Sequence, residues 1–147
     1  MALRFKNLRH LRDYVALSNP EAARTTGVWT TGQIFYHLSA AIEASCDAAP
    51  QATTSSVSMK QRMMQFAALN IGLPKGRAIP SEVKHLMTPP ANPDVLEQQK
   101  RLLDAIDRFA AQPDMFPVHP VFGPLSRAGW TKFHLRHCEL HLRHLSV

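Results

Sequence analysis

Near its end the chain reads HLRHCELHLRHL, residues 134–145, with histidines at 134, 137, 141 and 144. A neutral imidazole offers a lone pair, so such a run raises the question of metal binding. On a helix, successive residues lie about 100° apart, and residues i and i+4 stand one above the other. The four histidines therefore form one line. His137 and His141 have the spacing at which two imidazoles converge on one ion. Leu135, Cys138, Leu142 and Leu145 form a second line, expected to face the core. Arg136, Glu139 and Arg143 form a third, expected to face water. The histidine line would then run beside the core, along a groove between helices.

Two ligands from one helix need at least one more from elsewhere. His37 is the best candidate, because it sits between Ile34 and Ala41 on the apolar stripe of its own helical segment, where an unpaired or charged imidazole is costly. On spacing alone other readings stay open. His37 can be a buried, hydrogen-bonded histidine, and an HxxxH pair can face solvent. His134 and His144 can cover the helix ends, where imidazoles near a C-terminus suit the helix dipole. HExxH is absent, so a zincin assignment has no support.

Three neutral imidazoles would leave a divalent ion its full charge and at least one open position. That suits hydrolysis, by lowering the pKa of bound water toward about 7, or direct binding of a thiolate. A general base is harder to find. Glu43 lies off the His37 face, Asp47 is nearly three turns away, and Tyr36 points about 100° from His37. His134, one turn before His137, is expected at the mouth of the site. Trp130 and Phe133 are either pocket walls or ordinary core aromatics. His119, in FPVHPVFGP, is expected to pin a turn with Gly123 rather than touch an ion.

These side chains must be carried by helices. Residues 3–17 have apolar positions at near-helical spacing, ended by Asn19-Pro20. Thr30 or Thr31 caps a second helix that carries His37. Residues 48–56 read as a loop. A third helix over 57–70 has Met59, Met63, Phe66 and Ala67 on one face, and Gly72 and Pro74 close it. Residues 72–94 are rich in proline and glycine and read as a crossover packing over one end of a bundle. Asn92-Pro93-Asp94 starts another helix, with Pro93 near its first turn and an apolar face running to about residue 111. A second turn-rich stretch leads to Ser126, a good cap for the last helix, which is expected to run almost to the end of the chain. No strand of convincing alternation is visible. The expected fold is all-α: a helical bundle with a short extra N-terminal helix and long irregular crossovers.

The chain has 147 residues, 45% of them hydrophobic, which predicts one domain over 1–147 with a real core. Cys46 and Cys138 are far apart and fit neither a disulfide framework nor a zinc finger, so buried free thiols are expected. No apolar run approaches the ~20 residues that cross a bilayer, and the start MALRFKNLRHLRDYV lacks the apolar block of a secretory signal. A soluble cytoplasmic protein is the expectation. The net charge of +6 is spread along the chain without aromatic-basic interleaving, which argues against nucleic acid as a partner. A homodimer through exposed helices is compatible with such a bundle, although no sequence feature establishes one.

Three stretches together resemble a known superfamily: WTTGQIFYHLSAAIEAS at 29–45, HPVFGPLSRAGWTKFH at 119–134, and HLRHCELHLRHL at 134–145. In order and separation they resemble the DinB-like (YfiT-like) metal-binding four-helix bundles, specifically a small branch of uncharacterised bacterial proteins. The resemblance implies His37, His137 and His141 as ligands of a divalent transition metal, with solvent or substrate completing the coordination. Zinc or nickel is expected first, with iron, cobalt or manganese as alternatives. The branch often carries a glutamine where this chain has His144, which implies a ligand or supporting role for that residue. The resemblance also implies transfer or opening reactions with a low-molecular-weight thiol. The implied function is a metal-dependent hydrolase or thiol-dependent transferase acting on a small molecule. The alternative is a non-catalytic bundle that binds a metal or small ligand at a site closed to solvent.

Overall fold

Four helix starts are written in side chains that accept otherwise unpaired backbone N–H groups. Asn7 Oδ1 accepts from His10 N at 2.8 Å, Asp94 Oδ1 from Glu97 N at 2.8 Å, and Ser126 Oγ from Gly129 N at 3.1 Å. Thr30 and Gln33 cap each other: Thr30 Oγ1 accepts from Gln33 N at 3.2 Å, and Gln33 Oε1 accepts from Thr30 N at 3.0 Å. The computed structural model describes residues 2–47, 59–73, 84–113, 119 and 122–146. Within them the order is α1 (Leu8–Leu17), β1 (Arg24–Thr25), α2 (Thr31–Asp47), α3 (Met59–Asn70), α4 (Lys84–Met87), α5 (Val95–Ala111), α6 (Arg127–Leu142) and β2 (Leu145–Ser146).

The fold is an all-α bundle. Helix α2 packs most extensively on α5 and also meets α4 and α6, while α1 crosses α5 and α6 and α3 lies on α6. Phe35, Leu38 and Ile42 of α2 meet Leu102, Ile106 and Phe109 of α5 and Leu135, Cys138 and Leu142 of α6 in one buried cluster. The leucine line of the last helix therefore faces the core. Beyond α6 the chain turns and forms a two-residue antiparallel ribbon, with Arg24 opposite Ser146 and Thr25 opposite Leu145. The last helix thus stops at Leu142, and these short strands were not legible in the sequence. Among the described residues no helix is long and apolar enough to cross a membrane. Both cysteines are free, Cys138 buried and Cys46 half-buried.

Expectations for two parts of the chain need correction. The first helix starts at Leu8, not near residue 3; the preceding residues form an extended strap whose Phe5 is buried. That strap covers the supposed water-facing line of α6. Glu139 is buried there, accepting from Phe5 N at 2.7 Å and from Arg136 Nη1 at 2.6 and 2.8 Å, with Arg4 Nη1 at 3.4 Å. Only Arg143 of that line is exposed.

The second correction concerns α3. Met59, Met63 and Phe66 point outward, at 75%, 68% and 68% exposure. The helix docks instead through Ala68, Leu69 and Gln65, whose amide donates to the carbonyls of Phe122 at 2.6 Å and Pro124 at 3.3 Å. Carbonyls in a turn need donors, and Gln65 supplies them from the docked side of the helix. Pro93 stands directly before the Asp94 cap, next to the first turn of α5 as expected. The loop expected at 48–56 and the centre of the crossover at 74–83 lie outside the described residues.

Candidate metal centre

Helices α2 and α6 run antiparallel, so that His37 of α2 faces His137 and His141 of α6, while Ser45, two turns further along α2, faces His134. The capping box at Thr30 sets where α2 begins. The Ser126 cap does the same for α6. Both local signals thus place imidazoles at one level of the bundle.

One ring nitrogen from each of His37, His137 and His141 lies within 4.8 Å of the other two. His37 Nε2 and His137 Nε2 are 3.1 Å apart. For zinc with bonds of about 2.0–2.1 Å, tetrahedral ligand nitrogens stand about 3.3 Å apart. One pair is therefore already at coordination distance, and the widest pair needs to close by no more than about 1.5 Å.

Protonation follows from the partners. His37 Nδ1 stands 2.8 Å from the Met87 carbonyl at the end of α4. A carbonyl only accepts, so Nδ1 carries the proton and Nε2 presents its lone pair toward His137. This is the outer hydrogen bond that orients a ligating imidazole. Burial lowers the His37 pKa, and the Met87 bond partly offsets that. Burial, then the nearby His141 and His37 rings, hold His137 well below the usual imidazole value. Burial, then His37, pushes His141 down to about 3. All three are therefore neutral at neutral pH, the form that binds a cation.

Aromatic rings flank the centre. Phe133 stacks on His137 at 5.4 Å and 14°. Trp29, immediately before the Thr30 cap, lies 4.8 Å from His37 and 5.7 Å from His141, nearly parallel to the latter at 22°. His37 is buried, and His137 and His141 are less completely so as whole residues.

This chain matches, over residues 1–147, the family described as protein of unknown function DUF1569. The chain belongs to the DUF1569 family. No curated protein and no solved structure matches it.

The other residues singled out in the DUF1569 sequence fall elsewhere. His134 is not at the mouth of the centre but fully buried. Its Nε2 lies 2.9 Å from Ser45 Oγ, and it packs beside Phe109 and Trp130. Ser45 gives its own proton to the Ile42 carbonyl at 2.6 Å, so His134 donates through Nε2 and its Nδ1 is a buried acceptor without a protein partner. Trp130 is a core aromatic against His119 and His134, whereas Phe133 reaches a candidate ligand. His144 contacts Thr26 Oγ1 through Nδ1 at 3.2 Å and stands outside the three-histidine group. His119 pairs with Gly123 by 2.9 and 3.0 Å backbone bonds, and its Nδ1 accepts from Phe122 N at 3.1 Å, as a turn-pinning role requires.

The carboxylates near His37 in sequence are engaged on the α5 side. Glu43 accepts from Arg101 at 2.9 and 2.7 Å, Asp47 pairs with Arg108, and Tyr36 lies under the Arg101 guanidinium. A cleft of about 590 Å³ between the starts of α2 and α5, lined by Thr30, Gly32, Pro93 and Asp94 among others, does not include the three histidines.

Two participants were missed from sequence. The Met87 carbonyl has no side-chain signal at all. Trp29 had one: an apolar residue just before a helix cap packs back onto that helix, as in a hydrophobic staple.

Proposed function

We propose that this DUF1569 protein binds one divalent transition-metal ion through His37, His137 and His141, and that the ion serves a hydrolase or thiol-dependent transferase reaction on a small molecule. The observation that carries the reading is the convergence of three neutral imidazoles, one of them already oriented by the Met87 carbonyl. The incomplete burial of His141 supports a working centre over a closed structural ion. The likeness of the three histidine-bearing stretches to DinB-like bundles points the same way. Three nitrogen donors favour zinc or nickel, with iron, cobalt or manganese as weaker candidates. Such an ion supplies Lewis acidity at an open position, where it acidifies bound solvent or takes a thiolate.

The test is elemental analysis of untagged, unchelated protein beside a His37→Ala, His137→Ala, His141→Ala triple variant. About one transition-metal ion per chain, lost in the variant, supports the centre. No metal in either protein, even after soaking with zinc and nickel, overturns it.

A second reading, a non-catalytic metal-binding bundle, is favoured by the surroundings. Among the described residues, the titratable and charged groups acting on the three imidazoles are other histidines and Arg143, with no carboxylate to serve as a base. Screens with thiols and hydrolysable esters or amides separate the two. If His137→Ala lowers stability and the wild-type protein turns over none of these, the second reading holds.

A further inference from the structure

The strap that joins β1 to α2 carries a tryptophan whose ring lies beside two of the metal-ligand rings. Its near end is tied to the end of the chain by the pairing of Thr25 with Leu145 and by Thr26 N donating to the His144 carbonyl at 2.9 Å. Its far end is the Thr30–Gln33 capping box. Between these ties the tip is free: Val28 is fully exposed, and a Cβ on Gly27 would meet nothing within 4 Å.

Trp29 is held at the base of that tip, against His37 and His141. Its ring is half-buried, and its indole N–H has no partner among the described residues and is not sealed from solvent. Tryptophan in such a setting offers an apolar face and one donor.

Charge completes the argument. Three neutral imidazoles leave a divalent ion uncompensated, and the groups acting on them are other histidines and the cation Arg143. A half-buried charge of that kind calls for an anionic partner.

We infer that Trp29 is the ligand-reading residue of the centre, its N–H donating to one oxygen of a small carboxylate whose other oxygen completes the ion's coordination, and its ring packing against the apolar body of that ligand. The inference rests on the three-histidine reading and adds to it a ligand class and the side chain that selects it. Phe133, stacked on His137, adds a second apolar ring beside the centre.

The experiment uses cobalt(II)-loaded protein and follows the visible cobalt spectrum during titration with acetate, benzoate and imidazole. Wild type is compared with Trp29→Phe, which keeps a ring and loses the donor, and with Trp29→Ala, which loses both. Benzoate is expected to bind the wild type several-fold more tightly than acetate. Trp29→Phe should weaken acetate about fivefold, the scale of one net hydrogen bond, while imidazole stays within twofold. Trp29→Ala should further remove most of the preference for benzoate. Unchanged cobalt stoichiometry and far-ultraviolet circular dichroism establish that the variants fold. If all three proteins bind cobalt and both carboxylates bind within twofold across them, the inference is overturned and the metal centre survives. If the wild type binds no cobalt, the metal reading fails and takes this inference with it.

Discussion

His37 and His137 bring their Nε2 atoms to 3.1 Å across 100 residues of chain, while the other nitrogen of His37 is spoken for by the Met87 carbonyl. The pair therefore has a defined polarity. His37 presents a lone pair, and His137 either donates a proton to it or joins it in facing a cation.

The first prediction follows from that polarity. In nitrogen-15 NMR of the chelator-treated protein, His37 should appear as the Nδ1–H tautomer at pH 7. Zinc should shift its Nε2 resonance and leave Nδ1 protonated. Observation of the opposite tautomer would remove the orienting role of Met87.

Metal affinity should be unusually tolerant of mild acid. Protons compete with a metal only below the pKa of each imidazole. Burial lowers the pKa of all three, with His141 down to about 3. Affinity should therefore stay within about threefold between pH 8 and pH 6, whereas ordinary imidazoles near 6.5 would already lose ground. Competition titrations with a zinc indicator at several pH values measure this.

Stability of the metal-free protein should show the reverse face of the same burial. His134 is held neutral at about 3 and His119 at about 4 by desolvation. Folded pKa values below the unfolded value of about 6.5 mean that the unfolded chain binds more protons in that window. Stability from these groups is thus complete above about pH 6.5 and is lost as pH falls toward 4 and 3. Urea melts between pH 7 and pH 4 should show this decline, and His134→Leu should make it shallower. An equal slope in the variant would remove His134 from the account.

Glu139 anchors the N-terminal strap, so Glu139→Ala should be costly. It leaves Arg136 and Phe5 N without their acceptor in a buried setting, a loss of about 2–4 kcal/mol. Arg4→Ala removes the exposed partner of the same carboxylate and exposed bonds to the Asn70 and Ile71 carbonyls, and should cost about 1 kcal/mol. Paired chemical denaturation curves test the asymmetry.

Gly123 should resist substitution. Its φ of +74° is a left-handed conformation, and a Cβ there would stand 3.2 Å from the Gln61 amide of α3. Gly123→Ala should destabilise by about 1–2 kcal/mol, read as a lower thermal midpoint. The effect should be felt first as faster amide exchange in α3, which docks on this turn.

What the sequence by itself determined lies within one turn of helix. The caps at Thr30 and Ser126, the helix start at Asn92-Pro93-Asp94, the inward line of Leu135, Cys138 and Leu142, and the matched spacing of His137 and His141 follow from helix periodicity and unpaired N–H groups, which neighbours in sequence settle. The turn pinned by His119 and Gly123 was legible for the same reason. Tertiary structure decided what covers each face. Glu139 is buried because a strap from residues 3–6 lies over it, and no property of the helix alone announces that strap. Met59, Met63 and Phe66 face outward, and α3 docks through Ala68, Leu69 and the Gln65 amide on the carbonyls of Phe122 and Pro124. His134 and His137 share a line, yet one meets Ser45 in the core and the other meets His37, because the facing helix carries different residues at successive levels. The Met87 carbonyl and the Trp29 ring reach the histidines from segments that the chain brings back across the bundle. Periodicity names the face a side chain occupies; packing between distant segments decides whether that face meets water, a hydrogen-bond partner or a metal ion.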